Sequence, residues 1–282
     1  MSELIRGIDE EVFELGGHIN LCLSNDSYER EAEILIRLTE QGTRRILLFM
    51  VLSNEFEALN PNLPLYLNLQ ERGVRLLLMD CSLPHVAIPS IRWDDHGGMF
   101  KLVAHMAERG CRHLAYIGRR NNATTTSNRY QGFKDALLEY GLPFDASRVK
   151  WASTNGTPSL TEKSRDAAIA WFQKPQTVDA VLCSDEEVAA GVFEALEVSP
   201  NVSPDRMVIG GFGSAKSGIL AKNDRYVLLD QDTYLLGKIA AEAVVEKSGE
   251  SDTPARWGFQ RVLDVPIRIP RKSPALRTNR RS

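Results

Sequence analysis

The sequence has no run of about 20 apolar residues, which is the length that a helix needs to cross a bilayer. Its start, MSELIRGIDEEVFELGG, lacks the basic residues, apolar stretch and cleavage site of a secretory signal. We therefore expect a cytoplasmic protein without membrane contact. An excess of basic residues is also missing, because 34 Lys and Arg stand against 37 Asp and Glu. The chain's overall charge is therefore not suited to holding nucleic-acid phosphates.

Cysteine and histidine are scarce, and neither forms a chemical motif. The four cysteines lie far apart without CxxC spacing, so the sequence predicts buried, reduced thiols. The five histidines show no HExxH spacing and no pairing with a GxSxG serine or a nucleophilic cysteine. Asp94, Asp95 and His96 fit the start of a helix better than a metal site. No catalytic residue, metal or cofactor is predicted, and the protein is not expected to be an enzyme.

Apolar, β-rich runs alternate with helical patterns along nearly the whole chain. Predicted strands are His18–Leu23, Arg45–Leu52, Val74–Met79, His113–Gly118, Ala180–Cys183, Met207–Gly211, Tyr226–Asp230 and Arg261–Ile269. Predicted helices are Leu4–Leu15, Tyr28–Gln41, Leu65–Arg72, Gly98–Arg109, Tyr130–Tyr140, Ser164–Phe172, Asp185–Leu196 and Thr233–Lys247. Repeated βα units indicate parallel sheets with helices on both faces. The chain opens on a helix, so the first strand of such a fold is predicted to be missing.

The glycine-rich segment Gly210–Ser217 follows a predicted strand and ends in Lys-Ser, as a phosphate-binding loop does. Ala215 stands where that loop needs a glycine, so the match to nucleotide hydrolysis is weak. Binding of a ligand phosphate by Lys216 or by the backbone amides stays open. A GxGxxG fingerprint does not open a helix near the N-terminus, which disfavours an NAD-dependent dehydrogenase.

Six segments in order resemble the effector-binding core of the LacI/GalR family of bacterial transcription regulators, which is similar to the periplasmic sugar-binding proteins. They are LIRGIDEEVFELGGHINLCLSND, SIRWDDHGGMFKLVAHMAERGCRHLAYIG, RYQGFKDALLEYGLPFD, VDAVLCSDEEVAAGVFEAL, SPDRMVIGGFGS and LLDQDTYLLGKIAAEAVVE. The resemblance implies an α/β fold of two Rossmann-like lobes. Residues 1–110 and 231–256 would form the N-terminal lobe, and residues 111–230 and 257–282 the C-terminal lobe.

The resemblance also implies a function. A small-molecule effector, a sugar or a sugar phosphate, would bind in a cleft between the lobes, and lobe closure would control operator binding by a homodimer. The family's helix-turn-helix has no counterpart here, so operator DNA is expected as a partner only through a segment outside this sequence. Two alternatives stay open: a solute-binding protein of a sugar transporter, and a nucleotide-using α/β enzyme that depends on the glycine-rich segment.

Ligand contacts are implied at positions that match the family's pocket. Asp80 would accept hydrogen bonds from ligand hydroxyls, Thr125 and Gln231 are polar pocket positions, and Arg129 would fork onto a ligand oxygen or carboxylate. Trp151 is a possible stacking partner for a sugar face.

Three further pocket positions depart from the family pattern. Ser184 replaces a frequent asparagine, and Gly213, followed by Ser214, stands where an aspartate is usual. Without that carboxylate the pocket has one acceptor fewer for paired hydroxyls. Charge therefore favours a phosphorylated or otherwise anionic ligand over an unmodified hexose.

Overall fold

A computed structural model describes residues 2–53, 59–83, 86–121, 123–153, 158–173, 178–200, 202, 207–216, 218–220, 222–223, 225–245 and 259–270. The chain divides into two compact units. Unit 1 contains Met1–Trp93, Asn122–Thr124 and Asp232–Leu263, and unit 2 contains Asp94–Asn121, Thr125–Gln231 and Asp264–Ser282. The helix that follows Asp94, which we placed in the first lobe, lies in unit 2.

Unit 1 is a four-stranded parallel sheet with the order β1-β2-β3-β9. The strands are β1 (Arg45–Leu48), β2 (Arg75–Met79), β3 (Ser90–Trp93) and β9 (Gln260–Leu263). The helices are α1 (Ser2–Glu14), α2 (Tyr28–Glu40), α3 (Leu63–Glu71) and α8 (Thr233–Val245). Its core joins Leu35 of α2, Tyr66 and Leu69 of α3 and apolar residues of β1 and β2.

Two glycines allow α1 and α8 to pack closely. A Cβ atom added to Gly7 would collide with the backbone carbonyl of Tyr234, and one added to Gly237 would collide with that of Leu4. Ion pairing continues this contact, since Lys238 Nζ lies 3.1 Å from Glu11 Oε2. The apolar residues of α1, which recur at helical spacing from Leu4, therefore belong to a helix that packs on α8.

The prediction of a strand at His18–Leu23 is wrong. These residues form no strand, and none of their backbone groups hydrogen-bonds to another described residue. Leu21 and Leu23 are 63% and 61% exposed. Among the described strands of unit 1 none precedes β1, and β1 pairs with β2 alone. Residues 18–23 thus have the composition of a strand, but they do not pair with another strand.

Unit 2 is a six-stranded sheet with the order β10-β8-β7-β6-β4-β5, parallel except at β10. Its strands are β4 (Leu114–Arg120), β5 (Val149–Ser153), β6 (Ala180–Cys183), β7 (Val208–Gly213), β8 (Tyr226–Asp230) and β10 (Ile267–Arg268). Its helices are α4 (Asp95–Glu108), α5 (Thr124–Glu139, whose first residue belongs to unit 1), α6 (Leu160–Phe172) and α7 (Glu186–Glu197). The predicted α/β class, with parallel sheets flanked by helices, is confirmed.

Local capping explains where several helices begin. The Asp94 carboxylate accepts the Gly97 N–H at 2.9 Å and caps α4. Asp185 accepts the N–H groups of Glu187 and Val188 and caps α7. Ser159 and Glu162 form a reciprocal capping box at α6.

Three cysteines, Cys81, Cys111 and Cys183, are buried and free, as predicted. Burial raises the pKa of the Cys81 thiol to about 12, which keeps it protonated. The prediction of a buried thiol is wrong for Cys22, which is exposed because residues 18–23 do not join a sheet. None of the described helices is long and apolar enough to cross a membrane.

Candidate functional site

The carboxyl ends of four neighbouring strands bring polar residues to one edge of the unit 2 sheet. Since β4, β6, β7 and β8 run parallel, the residues that come directly after them share that edge. Asn121, Ser184, Ser214 and Gln231 are the first residues after these strands. Open α/β sheets bind their ligands at this edge.

Arg129 of α5 is the centre of a buried cluster at this edge. Its side chain is 9% exposed and its Nε donates to Asp95 Oδ1 at 2.7 Å. Nη1 donates to the Ser184 carbonyl at 2.6 Å, and the guanidinium lies 3.9 Å from the Phe212 ring centroid. Asp95 is completely buried. The ion pair, the carbonyl and the ring together fix the guanidinium.

Ser184 is bound to the protein by both its backbone and its side chain. Its N–H donates to the Ile117 carbonyl at 2.9 Å, and its hydroxyl donates to Asp185 Oδ2 at 2.9 Å. The hydroxyl oxygen also accepts the Arg119 N–H at 2.9 Å. Ser184 therefore positions its own carbonyl beside Arg129.

A second ion pair lies next to Ser184. Arg119 Nε and Asp185 Oδ2 are 3.1 Å apart, and Arg119 Nη2 also reaches Glu187 Oε2 at 3.0 Å. Burial raises the pKa of the Asp185 carboxyl, but Arg119 and the backbone N–H of Val188 together lower it by more, and the pKa ends below its ordinary value. Asp185 is therefore ionised at neutral pH. Its carboxylate is occupied by Arg119 and by the first N–H groups of α7.

The described residues of the loop after β7, 214–216 and 218–220, are held by hydrogen bonds within the protein. Ser214 is buried, and its carbonyl accepts the Gly218 N–H at 2.8 Å. The Ala215 N–H donates to Asp230 Oδ1 at 2.8 Å, and the Leu220 N–H donates to Glu186 Oε2 at 3.4 Å. These amides therefore already have acceptors. Ser217 lies outside the described residues.

Gln231 follows β8 and differs from its neighbours in having an unused donor. Its N–H donates to the Gly213 carbonyl at 2.7 Å. Its side-chain Nε2 is buried and has no hydrogen-bond partner among the described residues. A buried amide donor without an acceptor costs about 1–3 kcal/mol, so a ligand oxygen would be stabilised there.

Thr125 lies half-buried in the first turn of α5.

Trp151 lies in β5 and is part of an aromatic cluster. Its ring meets those of Tyr116 and Tyr130 edge-on, with centroids 5.7 and 5.1 Å apart. A side chain at Gly118 would collide with the Trp151 ring. Packing accounts for its position, and sugar stacking by Trp151 stays a prediction.

Asp80, the one predicted ligand residue in unit 1, follows β2 with a strained backbone. Its φ is 58°, in the left-handed region, and its N–H donates to the Ile91 carbonyl at 2.8 Å. Aspartate and asparagine tolerate this region better than other non-glycine residues. Such strain is often found at functional positions.

We expect Asp80→Val to lower the free energy of unfolding by about 1–2 kcal/mol more than Asp80→Asn, because a β-branched residue is disfavoured at positive φ. Thermal unfolding of both variants measures the difference. Equal melting temperatures for the valine and asparagine variants would show that the backbone strain is not significant.

The family model of the periplasmic binding protein-like domain matches residues 103–273, which is more than half of the chain. The chain belongs to this family. Within it, the chain has the effector-binding core of the LacI/GalR regulators, which confirms the predicted resemblance. Most of the ligand residues that the resemblance implies lie at the carboxyl edge of the unit 2 sheet.

Three relatives illustrate the match. The ribose operon repressor of Halalkalibacterium halodurans is 23% identical over 87% of this chain and 68% of that protein. The arabinose metabolism transcriptional repressor of Geobacillus stearothermophilus is 23% identical over 74% of this chain and 56% of that protein. The crystal structure of a LacI family regulator from Enterococcus faecium with bound ribose is 19% identical, with a TM-score of 0.71 over 98% of this chain and 94% of that one. Each of these relatives is named as a repressor or a transcriptional regulator.

The structure brings six of the predicted residues into unit 2 and near one sheet edge: Thr125, Arg129, Ser184, Gly213, Ser214 and Gln231. Sequence reasoning missed Asp95 as the partner of Arg129 and missed Glu186 and Asp230 as partners of the loop after β7. One signal was present for Asp95. A helix has a single N-cap, so only one of the adjacent acids Asp94 and Asp95 can cap α4, and the other must have a different partner.

Proposed function

We propose that this chain is the effector-sensing core of a LacI-type transcription regulator and that its effector is a sugar. The observation that supports this most is the unpartnered, buried Nε2 of Gln231, which lies after β8 at the edge where Arg129 and Ser184 meet. Sugar hydroxyls supply acceptors for such donors. The relatives named for ribose and arabinose responses and the ribose-bound structure support the same ligand class.

The chain spans 68% and 56% of the lengths of the two repressors. We propose operator DNA as the partner of the complete regulator, bound by a segment outside this sequence, and a homodimer as its assembly. A cytoplasmic location belongs to the same proposal. Ligand-driven lobe movement stays a prediction, which small-angle scattering with and without sugar can test.

We expect calorimetric titration with ribose, arabinose and cellobiose to detect binding of at least one of them. Gln231→Leu is expected to weaken that binding by about tenfold or more, because it removes a hydrogen-bond donor from the site. Gln131→Leu is the matched control, since Gln131 is exposed on α5 and pairs with Asp135.

Two outcomes would contradict the proposal. One is the absence of binding for every sugar at millimolar concentration. The other is chemical conversion of a bound sugar during incubation, because a sensor releases its ligand unchanged. Chromatography of the sugar after incubation detects the second outcome.

A further inference from the structure

Two amide groups of the loop after β7 donate hydrogen bonds to carboxylates of the protein itself. In phosphate-binding loops, backbone N–H groups converge on the ligand's oxygens. Here the Ala215 N–H points to the Asp230 carboxylate and the Leu220 N–H to the Glu186 carboxylate. These two amide donors are therefore already occupied by carboxylates of the protein.

Glycines make room for the Glu186 side chain. A Cβ atom at Gly213 would lie 2.9 Å from Glu186 Oε2, and one at Gly218 would lie closer still. Substituting either glycine would therefore displace this carboxylate. The position where the family resemblance expects an aspartate is thus next to a carboxylate that comes from another element, the start of α7.

Burial raises the pKa of the Glu186 carboxyl, while backbone hydrogen bonds from Leu220 and Ile219 lower it, and the pKa ends above its ordinary value. Among the described residues Glu186 has no cation within ion-pair distance. Asp230 differs, because Arg268 Nε lies 2.6 Å from its Oδ2. Glu186 therefore accepts from the loop's amides without an ion pair of the kind that Asp230 makes with Arg268.

We propose that Glu186 fills the anion site of the loop after β7 and thereby selects an uncharged ligand over a phosphorylated one at this edge of the sheet. The selection of a neutral sugar rests on the proposed function, but the occupied anion site does not. Because the Glu186 carboxylate lies beside Gly213, the glycine at this position does not by itself favour an anionic ligand.

Inorganic phosphate tests the anion site directly. Calorimetry of the full chain, with chloride at equal ionic strength as the reference, is expected to show no phosphate binding to wild type. Glu186→Ala is expected to bind phosphate at millimolar concentration, with at least tenfold higher affinity than wild type. Glu194→Ala is the matched control, since Glu194 is an exposed carboxylate on the same helix. It should behave as wild type.

A second variant keeps the test valid if the alanine variant does not fold. Glu186→Gln preserves the side-chain volume and removes the charge, so its phosphate affinity should lie between those of wild type and the alanine variant. Far-UV circular dichroism reports whether each variant is folded. Phosphate binding by wild type, or equal phosphate affinity in wild type and all folded variants, would overturn the proposal.

Ribose and ribose 5-phosphate separate this inference from the proposed function. Wild type is expected to bind ribose 5-phosphate at least tenfold more weakly than ribose. If both bind equally, the role of Glu186 in selection is wrong and sugar sensing stands. If neither binds while Glu186→Ala gains phosphate affinity, the anion site stands and a ribose effector does not.

Discussion

Replacing Arg129 by methionine is expected to lower the free energy of unfolding of unit 2 by about 3–5 kcal/mol, the usual cost of breaking a buried ion pair. The reason is the partner that stays behind. Asp95 is completely buried and accepts from Arg129 Nε, so the substitution leaves a carboxylate without its cation in a medium of low dielectric constant. The carbonyl of Ser184 also loses its donor.

A double substitution distinguishes the lost pair from lost volume. Arg129→Met combined with Asp95→Leu removes both charges, so it should cost less than Arg129→Met alone. The control is Arg165→Met, because the Arg165 side chain is 36% exposed and its ion pairs lie at the surface. We expect that change to stay within about 0.5 kcal/mol.

Hydrogen exchange followed by mass spectrometry is the suitable measurement, since the two units need not unfold together. Faster exchange should appear in peptides that contain β4, β6 and β7, which surround the Arg129 cluster. If the double variant exchanges faster than the single one, the cost does not come from a buried Asp95 that has lost its cation.

Periodicity and composition predicted most of the elements that lie in the centre of a sheet. Ala180–Cys183 and Tyr226–Asp230 are predicted to the residue, because each is a short, fully buried run of mostly apolar residues. Helix starts were predictable where a side chain caps them, as at Asp185. Apolar runs and capping side chains are local features of the sequence, and they determine where these elements begin and end.

The wrong predictions concern strands whose existence depends on neighbours. His18–Leu23 has strand composition but no partner, whereas Ser90–Trp93 and Val149–Ser153 contain charged or polar residues and still form strands through pairing. The predicted strand Arg261–Ile269 is two strands in different sheets, β9 and β10, separated around Pro266. Pairing between distant segments cannot be read from a local pattern.

The same limit applies to the site. Arg129 was predicted only through the family resemblance, and its partner Asp95 lies 34 residues away. Glu186 reaches a loop that is likewise 34 residues distant, at Leu220. Since Glu186 belongs to α7, nothing in the sequence around Gly213 indicates that a carboxylate lies beside this glycine.

Replacing Glu31 by alanine is the second change for which we expect a large effect, this time in unit 1. The Glu31 side chain is buried, and its carboxylate accepts three donors. Oε2 accepts the Val51 N–H at 2.7 Å, and Oε1 accepts Asn62 Nδ2 at 2.7 Å and the hydroxyl of Tyr66. The carboxylate thus joins α2 to the segment after β1 and to the start of α3.

Alanine at position 31 would remove the acceptor of the Val51 N–H and of the Tyr66 hydroxyl. Asn62 Nδ2 would lose one of its two acceptors and keep the Tyr28 carbonyl at 2.9 Å. Each unsatisfied buried donor costs about 1–3 kcal/mol, so we expect the free energy of unfolding of unit 1 to fall by about 3 kcal/mol or more. Glu33→Ala is the matched control on the same helix, because Glu33 is 59% exposed and pairs only at the surface with Arg37. Its effect should stay within about 0.5 kcal/mol.

The Val51 amide provides a local measurement of the same network. Its hydrogen exchange should accelerate by two orders of magnitude or more in Glu31→Ala, since about 1.4 kcal/mol corresponds to a factor of ten, and should not change in Glu33→Ala. Equal exchange at Val51 in both variants would mean that the segment after β1 is held by its apolar contacts, and that the carboxylate only fills space between α2 and α3.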